Sequence, residues 1–113
     1  MEIPSGFMQE LEKIDKIKIE KFHNFKDGWQ KHFDTAINLS YPGVLLACNE
    51  YKELIKMGKE ILPLIFIEYN KSYDLPWCTL LTAITGVDFG NEYNDDQKNI
   101  QKKWFDWANK KFS

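Results

Sequence analysis

The most restrictive feature of the sequence is the spacing of three helix-breaking residues, Gly58, Pro63 and Gly86, within a largely apolar stretch. Glycine is favoured just past the end of a helix, and proline is tolerated inside a helix only in its first turn. The pattern therefore predicts one helix ending before Gly58, a second beginning near residue 60 with Pro63 in its first turn, and a third ending at Gly86.

The second of these helices contains the most apolar run of the chain. Residues 61–67 read Ile-Leu-Pro-Leu-Ile-Phe-Ile, which places apolar side chains nearly all round the helix. A helix of this kind is buried on most of its sides. We therefore expect the helix over 60–71 to form the centre of the fold, with the other segments covering it.

Helical spacing of apolar residues also occurs outside this stretch. The N-terminal segment predicts a helix from residue 5 to about residue 25, with a break near Asn24 and a turn at Asp27-Gly28. Further helices are predicted around Trp29, over about 44–57 and over about 95–112, with loops at 40–43 and 88–96. The apolar positions of the N-terminal helix are Phe7, Met8, Leu11, Ile14 and Ile17.

The length of 113 residues is typical of one compact domain. We predict a single all-α domain over 1–113, a compact bundle of about five helices, in which 1–43 form N-terminal helices and 44–113 form the helical core. The sequence starts without the basic residues and apolar run of a signal peptide, and the run 61–67 is too short to span a membrane. We therefore expect a cytoplasmic protein that does not enter membranes.

The central stretch resembles HEAT-type helical repeats, in which a glycine ends one short helix and a proline lies in the first turn of the next. The resemblance rests on Met57-Gly58, on residues 61–65 and on residues 80–88. A solenoid needs about three such repeats, and only about one and a half fit into this chain. The resemblance therefore implies a closed domain with HEAT-like packing in its C-terminal two-thirds.

The chain resembles more closely a group of small bacterial helical proteins without an assigned function. Their pattern combines Tyr-x-x-Ile-Ile-x-Met-Gly, Pro-Leu, Trp-x-x-Ala-Leu-x-x-Ile-Thr-Gly-x-Asp and a terminal Trp-x-x-Trp. The chain departs from it at Cys48-Asn49-Glu50, where the group has His-Pro, and at Phe89, where the group has proline. The resemblance implies an architecture and a bacterial origin, and it assigns no activity. The matching positions are Tyr51, Leu54-Ile55, Met57-Gly58, Pro63-Leu64, Trp77, Ile84-Thr85-Gly86, Asp88, Trp104 and Trp107.

Residues that carry catalysis or bind metals are sparse. His23, His32, Cys48 and Cys78 do not follow the spacing of a zinc site, so we predict no metal and no cofactor. Both cysteines lie in apolar helical patterns and are expected to be buried free thiols. One catalytic alternative stays open, in which Cys78 acts as a nucleophile near a helix N-terminus with a histidine as its base. The favoured prediction is that the protein is not an enzyme.

The aromatic residues suggest a different role. They make up 15 % of the chain, more than a core of this size obviously needs, and Trp and Tyr are frequent anchors of protein interfaces. We therefore predict a non-enzymatic protein-interaction module, a small accessory or neutralising subunit of the toxin–antitoxin or phage-defence kind, that binds a larger protein. The candidate anchors are Tyr51, Tyr73, Trp77, Tyr93 and Trp107.

The last predicted helix supports an alternative hypothesis, a nucleic-acid-binding accessory protein. The formal net charge of -2 provides no overall attraction for nucleic acid. Phosphate contacts without a basic surplus are weak at physiological salt, so protein binding remains the favoured prediction. The candidate phosphate contacts are Lys98, Lys102, Lys103, Lys110 and Lys111.

Overall fold

Six α-helices and one turn of 3-10 helix are found in the computed structural model, which describes residues 3–36, 48–72, 75–89 and 96–112. These residues contain no strand. The prediction of an all-α bundle of about five helices is thus confirmed. In chain order the elements are α1 (Ser5–Lys13), α2 (Lys16–Ala36), α3 (Asn49–Met57), the 3-10 turn (Gly58–Ile61), α4 (Leu62–Lys71), α5 (Trp77–Thr85) and α6 (Gln97–Phe112).

Some predicted features lie outside the described residues. They include the loop at 40–43, the division between 43 and 44, and most of the loop over 88–96. The end of α3 and the start of α6 agree closely with the predicted positions. Helix α3 ends at Met57, and α6 begins after Asp96, whose Oδ1 accepts a hydrogen bond from the backbone N–H of Lys98 at 2.9 Å.

The break between the first two helices lies earlier than the sequence predicts. The chain leaves the helical conformation at Ile14, and Oδ1 of Asp15 accepts a hydrogen bond from the backbone N–H of Ile17 at 2.9 Å. This bond caps the start of α2. Helix α2 then continues without interruption past Asn24 and through Asp27-Gly28, so the predicted break and turn at those positions are wrong.

Gly28 is tolerated inside α2 because packing outweighs its low helix propensity. A glycine in a helix interior costs about 1 kcal/mol relative to alanine, whereas burial of a large aromatic side chain contributes more. The neighbouring Trp29 is fully buried. A Cβ atom at Gly28 would lie 2.7 Å from Cγ of Glu50, so the missing side chain also allows close approach of α3.

The break at Ile14 changes which N-terminal side chains are buried. Phe7 and Ile14 are 1 % and 7 % exposed, as the apolar pattern predicts. Met8 and Ile17, predicted on the same apolar face, are instead 62 % and 61 % exposed. Because the backbone is extended at Ile14, α2 does not continue the helical phase of α1. The buried face of α2 passes through Phe22 instead.

Both predicted glycine stops are confirmed. Gly58 follows α3 with φ 71° and ψ -157°, and Gly86 follows α5 with φ 79° and ψ 0°, in the left-handed region. Beside Gly86, the hydroxyl of Thr85 donates to the carbonyl of Leu81 at 2.7 Å and accepts a hydrogen bond from the N–H of Val87 at 3.1 Å. The hydroxyl of Thr85 therefore gives the backbone N–H of Val87, just past the end of the helix, a hydrogen-bond partner.

Helix α4 is the centre of the core, as its composition predicts. Phe66 contacts Phe7 of α1 and Phe105 of α6, with ring centroids 5.4 Å and 5.1 Å apart. The side-chain amide of Gln101 in α6 donates to the carbonyl of Tyr69 at 2.7 Å, which satisfies a buried polar group. The buried residues of α4 are Leu62, Pro63, Leu64, Ile65, Phe66 and Tyr69.

A second aromatic cluster joins α2, α3 and α5. Trp29 lies at its centre, with its ring 5.2 Å from Tyr51 and 5.5 Å from Trp77 between centroids. The contact with Trp77 is edge-to-face, with an interplanar angle of 90°. This arrangement is among the favoured geometries for aromatic pairs.

An ion-pair network links α2 to α4. Nζ of Lys26 lies 3.2 Å from Oε1 of Glu68, and Nζ of Lys71 lies 3.3 Å from Oε2. Burial acts to raise the pKa of Glu68, but the hydrogen bonds and charges of the two lysines outweigh it and lower the pKa. Burial likewise acts to lower the pKa of Lys26, and its contacts with Glu68 raise it overall. The Glu68 carboxylate therefore contributes stability at neutral pH that is lost as the pH falls.

We expect Glu68→Gln to lower the free energy of unfolding by about 1–3 kcal/mol at neutral pH, because Lys26 loses a partly buried carboxylate partner. The deficit should shrink between about pH 5 and pH 3, where protonation of Glu68 removes the same charge from the wild type. Urea unfolding over a pH series measures both effects. The control Glu60→Gln breaks an exposed pair with Lys18 and should cost less than about 1 kcal/mol. A deficit for E68Q that does not change with pH would contradict this assignment.

We expect Gly58→Ala to destabilise the protein more than Gly86→Ala. A Cβ atom at either position meets nothing within 4 Å, so both substitutions measure backbone strain alone. The dihedral angles of Gly58 are accessible essentially only to glycine, at a cost of about 2–3 kcal/mol, whereas the left-handed conformation of Gly86 costs other residues about 1–2 kcal/mol. Urea unfolding of both variants provides the comparison. Equal losses of stability, or a larger loss for Gly86→Ala, would show that backbone strain does not determine the relative cost of the two substitutions.

Candidate functional site

Of the five predicted protein-binding anchors, the structure describes Tyr51, Trp77 and Trp107. Tyr51 and Trp77 are 7 % and 3 % exposed and belong to the aromatic cluster between α2, α3 and α5. Their rings are used for core packing. Tyr73 and Tyr93 lie outside the described residues. Among the described anchors, only Trp107 is partly exposed.

Trp107 lies on α6 at the border between the core and solvent. Its ring centroid is 5.5 Å from that of the fully buried Trp104 and 5.9 Å from that of Phe112. Nζ of Lys111 lies 5.3 Å from the centroid of Trp107, within range of a cation–π interaction. The structure thus brings together a residue predicted for protein binding and a residue predicted for nucleic-acid binding.

The remaining candidate lysines do not share this environment. Lys98, Lys102, Lys103 and Lys110 are exposed on α6, as Lys111 is, and none forms an ion pair with a described residue. The helix carries a single acidic residue, Asp106, which is also exposed. The outer side of α6 is therefore basic.

Trp107 lines a cavity of about 470 Å³, here called the Trp107 groove, between α1, the 3-10 turn, the start of α4 and the end of α6. Its volume falls within the range of about 300–1,000 Å³ that is usual for ligand pockets. The lining combines apolar side chains of the core with charged side chains of the surface. The apolar members are Phe7, Leu62, Pro63, Trp107 and Phe112, and the polar members are Glu10, Lys59, Glu60, Thr85 and Lys111.

Two local features of the sequence build this groove. Pro63 lies in the first turn of α4 behind the 3-10 turn, so Leu62 and Pro63 reach the groove from the start of the central helix. Gly6 lets α1 meet the end of α6, since a Cβ atom there would clash with the backbone carbonyl of Phe112. The ring of Phe112 then lies against Phe7, with centroids 4.7 Å apart.

The charged residues of the groove differ in their pairing. Oε2 of Glu60 lies 2.7 Å from Nζ of Lys18, and Oε1 of Glu10 lies 3.7 Å from Nζ of Lys13. Lys59 has no carboxylate within ion-pair distance among the described residues. The two acidic groups of the lining thus have cationic partners already, whereas its lysines do not have anionic ones.

A second cleft adjoins the groove at Glu60, which lines both cavities. This cleft, here called the lysine cleft, has a volume of about 340 Å³. It lies between α2 and the end of α3, and its lining consists of Lys18, Lys21, Lys56, Met57, Glu60 and Ile61. The two cavities share Glu60, so a partly apolar groove and a lysine-lined cleft are neighbours on the protein.

Both predicted buried thiols are confirmed as free and buried. Burial raises the pKa of Cys48, which disfavours the reactive thiolate. Cys78 lies in the first turn of α5 and is buried. The side chain of His23 is about half exposed, and its Nδ1 lies 3.8 Å from Oε1 of Glu68. This histidine therefore lies beside the ion-pair network between α2 and α4.

No group of three or more His, Cys, Asp or Glu side chains is arranged to hold a metal ion within 3–36, 48–72, 75–89 and 96–112. Over the same ranges, no helix combines the length and the apolar character that crossing a bilayer requires.

Comparisons of the chain with models of protein families, with curated proteins and with solved structures find no match. The groove is therefore interpreted from its own residues.

Sequence reasoning identified Trp107 and Lys111 but missed the other residues of the groove. Phe7 was assigned to the core, which is correct, and its second role as part of the groove lining depends on how α1 meets α6. Lys59 lies in the 3-10 turn just past Gly58, where a helix stop predicts an exposed polar residue and nothing more. No pattern along the chain indicates that these positions meet.

We expect neither cysteine to react with a thiol reagent such as Ellman's reagent in the native state, because both side chains are buried. Unfolding in guanidinium chloride should release both thiols for reaction and provides the control. The labelling rate in native buffer should therefore be limited by local or global unfolding that exposes the thiols. Fast native labelling of Cys78, abolished by Cys78→Ser, would revive the nucleophile hypothesis.

Proposed function

We propose that the protein is a non-enzymatic interaction module, a small accessory or neutralising subunit that binds a larger protein through the Trp107 groove. The observation that carries the proposal is a partly exposed tryptophan beside an apolar cavity at the surface. Tryptophan is enriched among residues that dominate binding energy, especially where neighbouring side chains exclude water. Phe7 and Phe112 are the aromatic neighbours that supply this environment.

The biological setting that we propose is a bacterial cytoplasm and a system of the toxin–antitoxin or phage-defence kind. Support comes from the resemblance of the central stretch to small bacterial helical proteins with HEAT-like packing.

The basic outer side of α6 supports a second candidate function, binding of nucleic acid. Five lysines and one aspartate leave this helix with a surplus of four positive charges. Lysines at a helix surface contact phosphates without reading sequence. Such binding should be weak and strongly dependent on salt, because the chain as a whole carries a charge of -2.

Affinity capture from the native host, with nuclease-treated and untreated lysates in parallel, tests the two candidates. We expect the wild-type protein to retain a stoichiometric protein partner after nuclease treatment. Trp107→Ala, which removes an anchor, and Glu10→Trp, which places bulk at the exposed rim, should each reduce capture by at least about tenfold. Thermal unfolding should first establish that both variants are folded.

The charge-reversed variant Lys102→Glu, Lys103→Glu, Lys110→Glu is the matched control on the outer side of α6. It should capture the protein partner as the wild type does. Loss of the partner on nuclease treatment, or in this variant alone, would transfer the assignment to nucleic-acid binding. Absence of any protein partner would refute the proposed role as an accessory subunit, and capture unaffected by both groove variants would refute binding through the groove.

A further inference from the structure

The charge of the surface around the Trp107 groove is unbalanced. The linings of the groove and of the adjoining lysine cleft contain five lysines and two glutamates. The glutamates, Glu10 and Glu60, are paired with Lys13 and Lys18. Among the lysines of the lysine cleft, Lys56 is paired with Glu53 at 3.3 Å.

Three lysines of the two linings are left without a carboxylate partner in the part of the chain that the structure describes. They are Lys21 on α2, Lys59 in the 3-10 turn and Lys111 on α6. All three are exposed. They come from three different elements and line two cavities that share Glu60, so the fold brings these cavities next to each other. A binding surface attracts a partner whose charges complement its own.

The apolar part of the same surface determines what else the partner must carry. Phe7, Leu62 and Pro63 are buried residues that also line the groove, so the cavity offers apolar contacts at its base. An occupant gains free energy by burying apolar side chains there, at about 25 cal/mol per Å². A purely acidic chain would leave those contacts unused.

From this juxtaposition we infer that the Trp107 groove binds an acidic amphipathic segment of a protein. Apolar side chains of the segment occupy the groove, and its carboxylates pair with Lys21, Lys59 and Lys111. The inference rests on the proposed function and deepens it, because it assigns the chemistry of the partner.

Designed helical peptides provide the test. The first peptide carries leucine and tryptophan anchors at i, i+4 spacing with glutamate at its remaining polar positions. The second has the same anchors with lysine in place of glutamate, and the third keeps the glutamates but has alanine in place of the anchors. Fluorescence anisotropy with labelled peptides measures the dissociation constant for each at several salt concentrations.

We expect the first peptide to bind at least about tenfold more tightly than either of the other two. Its affinity should fall as salt is raised, because exposed charge pairs are screened. Lys21→Glu, Lys59→Glu, Lys111→Glu should weaken its binding by about tenfold or more. The matched control is Lys102→Glu, Lys103→Glu, Lys110→Glu, which changes the net charge equally on the outer side of α6 and should leave the dissociation constant within about twofold.

Several outcomes would overturn the inference. Equal or tighter binding of the lysine peptide would show that charge does not select the occupant. Equal binding of the alanine peptide would show that the apolar groove is not used, and failure of all three peptides to bind would show that the surface does not accept such segments. Tighter binding of an oligonucleotide of equal charge would reassign the lysines to nucleic acid.

The peptide experiment tests the chemistry of the partner separately from the capture experiment, which tests the proposed function. If Trp107→Ala abolishes capture of the native partner while the acidic peptide shows no preference, the groove binds a protein of different chemistry. If the acidic peptide binds as expected while no partner is captured, the surface chemistry is correct and the proposed role as an accessory subunit is not.

Discussion

The burial of α4 on nearly every side is the constraint on which the rest of the structure depends. A helix of this composition contributes little to the stability of the fold when it lies at the surface and much when its apolar side chains are buried. Other helices must therefore surround it. Phe66 contacts both α1 and α6, which bracket the helix from two sides. The one carboxylate of α4, Glu68, is accommodated because Lys26 and Lys71 hold it. The two ion pairs thus offset the free-energy cost of removing the Glu68 carboxylate from water.

The groove follows from how this central helix begins. A proline in the first turn is compatible with the 3-10 turn before it, and the two together bring Leu62, Pro63 and Lys59 to one place. The contact of Gly6 with the end of α6 then closes the other side. A surface that combines buried apolar residues with lysines lacking described partners is more than the core requires. A concave lining of apolar side chains with a few charged groups is typical of binding sites.

The helices of this fold can be predicted from the sequence better than the connections between them. The positions of Gly58 and Gly86, the buried α4 and the start of α6 could all be found from local patterns. The break at Ile14 could not, because the run of apolar positions from Phe7 to Ile17 is compatible with one helix. Its apolar spacing continues across the break only by coincidence, and Ile17, which follows the break, is exposed. Asp27-Gly28 shows the reverse case, a local turn signal that burial of Trp29 overrides.

The candidate site likewise depends partly on local sequence and partly on tertiary contacts. By itself the sequence determined where α3 and α5 end and which helix is central, because the positive φ of the two glycines, the fixed φ of Pro63 and the apolar run around it are properties of a few neighbouring residues. Only the tertiary structure decided that Tyr51 and Trp77 are buried while Trp107 is partly exposed. Those outcomes depend on which helices cover each ring. The burial of these three rings depends on contacts between distant segments, and the residues next to each ring do not encode it.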